Sequence, residues 1–346
     1  MQQTQNLNVS SITNLISPEN LIKETLFDDK AVNSIVNFRN DISKIIAKKD
    51  NRMLLIVGPC SIHDEEAAFE YGQKLAKLRE QYKEKLYIAM RVYFEKPRTT
   101  VGWKGLINDP HLDGSYDLET GLRKARKILL KFLEMGLPTA SEFLDPIVPQ
   151  FTSDLVCWAA IGARTTESQT HRQMASGLSM PVGFKNSTDG NVQVAIDAMQ
   201  SANHAHHFIG VDEKGQISVV ATKGNLYSHI ILRGGNKLPN FYPDNVADLV
   251  DKLESSKLNT GIVVDCSHAN SGKKFEQQEA VWKNIIDQRK AGNTSLIGMM
   301  LESNIKEGNQ KIQADLSKLE YGVSITDACV SIEKTEELLD YAANNL

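Results

Sequence analysis

The sequence predicts an α/β protein: a (β/α)8 TIM barrel with an N-terminal helical extension and an inserted β-hairpin. Three observations predict it. Short apolar runs recur eight times, and each stops abruptly at polar or charged groups. Longer stretches of helical periodicity lie between them. The runs are continuous rather than alternating, as parallel strands are when helices cover one face and a barrel core the other. Composition permits this: 346 residues with 41% apolar and 24% charged side chains can bury a large core.

Residues 1–50 read as a helical prelude. Ser17-Pro18-Glu19 has the order of an N-cap, a first-turn proline and an acidic first turn. Val32, Ile35, Val36, Ile42, Ile45 and Ile46 then mark an amphipathic helix ending near Lys49. Residues 51–346 form the barrel. Its strands are predicted in the runs Met53 to Cys60, Leu86 to Phe94, Thr139 to Leu144, Trp158 to Arg164, Pro181 to Lys185, Ile230 to Arg233, Gly261 to His268 and Leu296 to Glu302. Helical stretches include Glu65 to Tyr82, Leu118 to Met135, Val192 to Ala202, Val246 to Glu254 and Gln278 to Ala291. One place breaks the rhythm: His206 to Val211 and Gln216 to Thr222 are β-like runs joined by Glu213-Lys214-Gly215, an inserted hairpin at about residues 205–228.

The formal net charge of −4 provides no footprint for nucleic acid. The N-terminus has neither a basic nor an apolar leader region, and no 18-residue apolar run occurs, so a cytoplasmic protein without membrane attachment is expected. Cys60, Cys157, Cys266 and Cys329 are widely separated and contain no CxxC, which suits neither a disulfide framework nor a zinc knuckle. Fingerprints for dinucleotides, phosphate loops and zinc proteases are absent.

In such barrels chemistry gathers where strands end. Arg91, Lys96, Arg98, Arg164, Lys185 and Arg233 come from the ends of different strands or the loops after them. Any one alone suits a rim salt bridge. Together, like charges converging on one mouth need anions to fill it, pointing to small phosphorylated acids or sugars. Cys60, His268 and Glu302 form a second set. Each has a bland role as a buried thiol, a core imidazole or an ion-pair partner; jointly they offer sulfur, nitrogen and oxygen to a divalent transition metal, with Asp327 as a fourth donor. Calcium and magnesium fit this mixture poorly, while manganese, iron, cobalt and zinc all remain open. Cys266 and His268 share a face by the two-residue period, placing Cys266 in the barrel core. His63 stands near Cys60, but no third group orients such a pair for nucleophilic catalysis.

The stretches GPCSIHD (Gly58 to Asp64), MRVYFEKPRTTVGWKGLINDPHLD (Met90 to Asp113), GARTTE (Gly162 to Glu167), GFKN (Gly183 to Asn186), LRGG (Leu232 to Gly235), DCSHAN (Asp265 to Asn270) and LESN (Leu301 to Asn304) carry a family resemblance. They resemble the 3-deoxy-D-arabino-heptulosonate 7-phosphate (DAHP) synthases, in the short microbial type regulated by aromatic amino acids. The resemblance implies condensation of phosphoenolpyruvate with erythrose 4-phosphate at the head of the shikimate pathway. It assigns phosphoenolpyruvate to Arg91, Lys96, Ala163, Arg164, Lys185 and Arg233, and erythrose 4-phosphate to Lys96, Pro97, Arg98 and Thr99. Catalytic roles fall to Lys96, Arg164, Lys185 and His268. It makes Cys60, His268, Glu302 and Asp327 the ligands of one divalent transition metal, manganese ahead of iron, cobalt or zinc. It further implies an aromatic amino acid inhibitor at Asp145, Gln150, Gly177, Ser179, Gly210 and Val220, built from the hairpin and a neighbouring subunit's N-terminal segment in a homodimer or homotetramer. Gly210, with Ser141 to Pro146 and Val323, favours tyrosine over phenylalanine. The alternatives are a phenylalanine-inhibited form, or the related 3-deoxy-D-manno-octulosonate 8-phosphate synthase.

Overall fold

Burial on both faces makes each apolar run a strand in a computed structural model that describes residues 4–236 and 238–346. In chain order the strands are β1 (Met53–Gly58), β2 (Leu86–Arg91), β3 (Thr139–Glu142), β4 (Trp158–Ile161), β5 (Val182–Lys185), β6 (His207–Val211), β7 (Ile217–Ala221), β8 (Ser228–Leu232), β9 (Ile262–Asp265), β10 (Leu296–Asn304) and β11 (Val330–Ser331). β1 to β5 and β8 to β10 pair in parallel, and β10 returns to β1, closing an eight-stranded barrel. The closing register sets Leu54 opposite Gly298 and Gly58 opposite Glu302. Gly58 is required there: at φ 154° a Cβ would come within 2.8 Å of the Arg91 carbonyl oxygen. β6 and β7 pair antiparallel as a separate hairpin.

The helices are α1 (Pro18–Glu24), α2 (Asp29–Ile46), α3 (Glu65–Tyr82), α4 (Leu118–Glu134), α5 (Pro149–Thr152), α6 (Gln169–Gly177), α7 (Gln193–Ala202), α8 (Pro243–Ser255), α9 (Gln278–Lys290) and α10 (Ile332–Asn345). Ser17 caps α1 as its sequence predicts, accepting from Asn20 N–H at 3.3 Å. Asp64, in the stretch after Cys60, caps α3 by accepting from the backbone of Glu66 and Ala67. The prelude docks on the barrel through the half-buried Arg39 and the buried Arg126. Arg39 of α2 donates to the Ser153 and Val156 carbonyls, and Arg126 of α4 joins Thr25, Phe151 and Asp154. α1 also touches the hairpin, Glu19 N–H donating to the Glu213 carbonyl at 2.7 Å. None of the described helices is long and apolar enough to cross a membrane.

Several strands end before their apolar runs do. β2 stops at Arg91; Val92 still bonds to β3, but Tyr93 O turns to accept from Ile62 N–H in the loop after β1. β4 stops at Ile161, because the Gly162 carbonyl turns to accept from Thr165 and Thr166. β9 stops at Asp265, and His268 sits beyond it at φ 56°. The expected common strand face for Cys266 and His268 is therefore not formed, since the alternation ends with the ladder, although Cys266 is fully buried. Helices α6 and α10 add to the predicted stretches; in both, the apolar positions are diluted by polar ones.

Candidate active site

Barrel closure brings the end of β1 beside the end of β10. Sγ of Cys60 and carboxylate oxygens of Glu302 and Asp327 all lie within 4.8 Å of one another, and Sγ is 3.6 Å from Asp327 Oδ2. Hydrogen bonds hold each donor. Arg91 Nη2 donates to Glu302 Oε1 at 2.9 Å, and its Nε to the Pro59 carbonyl at 3.0 Å. Gln278 brackets the Glu302 peptide, accepting its N–H and donating to its carbonyl. Ser61 and Thr326 hydroxyls, 2.7 Å apart, tie the Cys60 loop to the Asp327 loop. A thiol with two carboxylates suits a divalent transition metal, because the soft sulfur donor disfavours calcium and magnesium.

His268 stands outside that three-donor group. Its Nδ1 lies 3.0 Å from Asp265 Oδ2 and 2.7 Å from the Ser267 hydroxyl, which leaves Nε2 as its remaining donor or acceptor. It nevertheless lines the same cavity. Burial and the Glu302 charge push the Cys60 thiol up to about 11, against the pull of Lys96, whose Nζ is 3.0 Å from Sγ. Asp327 moves the other way: desolvation raises it, but Lys96 and His268 outweigh that and keep it below the usual carboxylate value.

The cavity holds about 540 Å³ and collects the predicted cations. Arg91, Lys96, Arg98, Arg164, Lys185 and Arg233 line it with Pro97, Thr99 and Ala163, and Lys273 adds a cation absent from the sequence reading. Seven cationic side chains thus face three carboxylates, Glu142, Glu302 and Asp327. Arg91 Nη1 is buried without a partner among the described residues, a donor left for a ligand. Lys185 Nζ donates to Asp265 Oδ2 at 3.0 Å. Desolvation opposes the Asp265 charge, yet Lys185 and His268 hold its carboxyl well below the ordinary range. Asp265 lay inside the quoted DCSHAN stretch without a role; the polar interruption of a buried strand was its signal.

Glu95, beside Lys96, was also missed. It is 3% exposed and accepts from Leu144 and Asp145 N–H at 3.4 and 3.2 Å. Burial, then the Asp145 charge, raises its carboxyl to about 8. A raised carboxyl contributes stability that is complete below pH 4.5 and is lost as pH climbs to about 8, because ionisation is easier unfolded. Glu95→Gln is therefore expected to raise the unfolding midpoint at pH 8, on the order of 2 kcal/mol, and to change it little at pH 5. Thermal melts at both pH values check this, and equal shifts at both would remove the ionisation argument.

The residues predicted for the inhibitor come from three parts of the chain, the stretch after β3, the end of α6 and the hairpin. Gly210 pairs with Ser218 across the hairpin, and a Cβ at Gly210 would reach the diagonal Val220 Cγ2 at 2.7 Å; one at Gly177 would reach Thr222 Cγ2 at 2.8 Å. Asp145 and Gln150 lie in and after the loop following β3. Of the six, Ser179 alone lines a hollow of about 370 Å³ beside α2, with Phe27, Val32, Val36, Arg39 and Asp154.

The family model described as the DAHP synthetase I family matches residues 25–340. The chain belongs to the DAHP synthetase I family. It catalyses DAHP synthesis, the first step of the shikimate pathway. It is 52% identical over 334 residues to the Tyr-sensitive phospho-2-dehydro-3-deoxyheptonate aldolase of Escherichia coli K12, covering 96% of this chain and 94% of that one. The Phe-sensitive form from the same organism is 49% identical over 342 residues, covering 99% and 97%. A solved phospho-2-dehydro-3-deoxyheptonate aldolase from Francisella tularensis superposes with a TM-score of 0.95 at 46% identity, covering 98% of each chain. The family's need for a divalent metal fits the Cys60–Glu302–Asp327 group.

Proposed function

We propose that the barrel mouth condenses phosphoenolpyruvate with D-erythrose 4-phosphate and water, giving DAHP and inorganic phosphate. The excess of cations beside a thiol–carboxylate donor group carries this reading. Arg91, Lys96, Arg164, Lys185 and Arg233, with the Ala163 backbone, would bind phosphoenolpyruvate, and the Lys96 to Thr99 loop would hold the sugar phosphate. Arg164 Nη2 donates to Thr99 Oγ1 at 3.2 Å, so the two groups of residues meet. Arginines grip phosphate and carboxylate in forked pairs, while Lys96 and Lys185 act as point charges.

Cys60, Glu302 and Asp327, with His268 Nε2 as fourth donor, would hold the metal, manganese ahead of iron, cobalt or zinc. When bound, such an ion supplies a Lewis acid for the aldehyde oxygen. The side chains do the rest by placement and charge. The cations align the enol carbon of phosphoenolpyruvate with the aldehyde carbon, where the new carbon–carbon bond forms. Positive charge then develops at the phosphate-bearing carbon, water adds there, and carbon–oxygen cleavage releases phosphate. Arg164, Lys185 and Arg233 stabilise that departing dianion.

Feedback inhibition by tyrosine fits Gly210, whose missing side chain keeps bulk off the hairpin face beside Val220. The exposed Ile209, Ile217 and Val219 on its other face fit a homo-oligomer in which a neighbour covers them. One assay tests the whole reading. Phosphoenolpyruvate absorbance is expected to fall only when erythrose 4-phosphate and manganese are both present, and tyrosine to slow the initial rate more than phenylalanine or tryptophan. Turnover with arabinose 5-phosphate instead would overturn the substrate, and indifference to all three amino acids would overturn the regulation.

A further inference from the structure

Asp265 closes β9 and is fully buried behind Lys185 and His268, which line the cavity. One of its oxygens serves two functional groups. Oδ2 accepts from Lys185 Nζ at 3.0 Å and lies 3.0 Å from His268 Nδ1. The other oxygen is anchored locally: Oδ1 accepts from Ser267 N–H at 3.0 Å and from the Ser267 hydroxyl at 2.6 Å. That hydroxyl also sits 2.7 Å from His268 Nδ1. A carboxylate offers about four acceptor positions. Lys185, His268 and the two donors of Ser267 use them, so the carboxylate cannot turn toward one partner without loosening another.

Lys185 stands on the phosphoenolpyruvate side of the cavity and His268 on the metal side. We propose that Asp265 is a positioning residue that couples the two subsites, so that filling either one tightens binding at the other. This rests on the assignment of Lys185 to phosphoenolpyruvate and of His268 to the metal. The coupling is electrostatic. A cation on the Nε2 side of the imidazole makes its Nδ1–H a stronger donor, as carboxylate–histidine pairs at metal sites do. Oδ2 is then drawn toward His268, and the Lys185 ammonium, less neutralised, becomes a stronger partner for an anionic substrate. Burial makes the exchange count, because water cannot screen it.

Isothermal titration calorimetry of phosphoenolpyruvate into chelated and manganese-loaded protein tests the proposal, with manganese–phosphoenolpyruvate association in buffer subtracted. The wild type is expected to bind on the order of tenfold more tightly when loaded, and phosphoenolpyruvate to tighten manganese by the same factor, as linkage requires. In Asp265→Asn the factor should collapse to about one, although both ligands still bind. Ser267→Ala, which keeps the charge but loosens its anchor, should reduce the factor while melting like the wild type. That variant carries the test if Asp265→Asn does not fold. A wild-type factor of one, or a factor unchanged in Ser267→Ala or folded Asp265→Asn, overturns the proposal. Lys185→Met examines the underlying assignment separately: it should lose phosphoenolpyruvate binding with and without manganese, and normal binding would sink that assignment instead.

Discussion

Cys60→Ala is expected to purify folded, to retain no divalent metal after dialysis, and to lose turnover by at least about 10³-fold, since Lewis-acid assistance contributes several kcal/mol. Folding should survive, because a buried cysteine behaves as a small hydrophobe and its truncation costs only about 1 kcal/mol. The loss arises from the donor set. Cys60 Sγ is the only sulfur in the group with Glu302 and Asp327, and removing it leaves two carboxylates facing the cation-rich cavity. The pH dependence gives an independent signature. With its thiol pushed up to about 11, Cys60 must give up a proton when a metal binds. Metal affinity of the wild type should therefore tighten about tenfold per unit between pH 7.5 and 9, and Cys60→Ala should lose that slope. Elemental analysis after dialysis, with metal titrations across that range, decides the matter. A variant that kept both metal and turnover would return Cys60 to the role of a packed thiol.

Arg91→Met is expected to lower stability by about 3–5 kcal/mol as well as to remove activity, because it leaves the Glu302 carboxylate buried and unpaired. The pair is 1% and 3% exposed, and the same guanidinium supports the Pro59 and Cys60 carbonyls that aim the thiol. Arg91 also lies over the Tyr93 ring, 3.6 Å from its centroid, a cation–π contact that methionine forfeits. Glu302→Gln in the Arg91→Met background should restore most of the stability without restoring activity, since the neutral amide needs no counter-ion. Denaturant midpoints for the two single variants and the double variant measure this coupling. A cost below about 1 kcal/mol for Arg91→Met would show that the ion pair does not hold the floor of the site.

Much of the fold was legible because parallel barrel strands are written as uninterrupted apolar runs, and all eight runs overlap a barrel strand. Their polar ends were equally legible, since a charge closing a buried run has few structural excuses. Arg91, Lys96, Arg164, Lys185 and Arg233 do share one cavity with Glu302, Asp327 and His268. Less was legible where a residue's role depends on its neighbours. Glu95 looked like loop charge, and only its burial beside the Asp145 carboxylate shows why its carboxyl is held neutral longer, against the pull of the Leu144 and Asp145 N–H donors. Lys273 comes to the rim through a turn at φ 61° that carries no strand-end signal.

The sequence by itself determined the barrel, the hairpin insertion and the types of donor and cation present, because hydrophobic periodicity and chain chemistry are local properties. The tertiary structure alone decided which of them meet. Cys60 and Asp327, 267 residues apart, touch because β10 pairs back to β1 and sets Gly58 opposite Glu302. His268 turns its Nδ1 to Asp265 because its strand ends three residues earlier and the chain reverses at φ 56°. Closure register and loop conformation are long-range outcomes of packing, and no stretch of sequence specifies them alone.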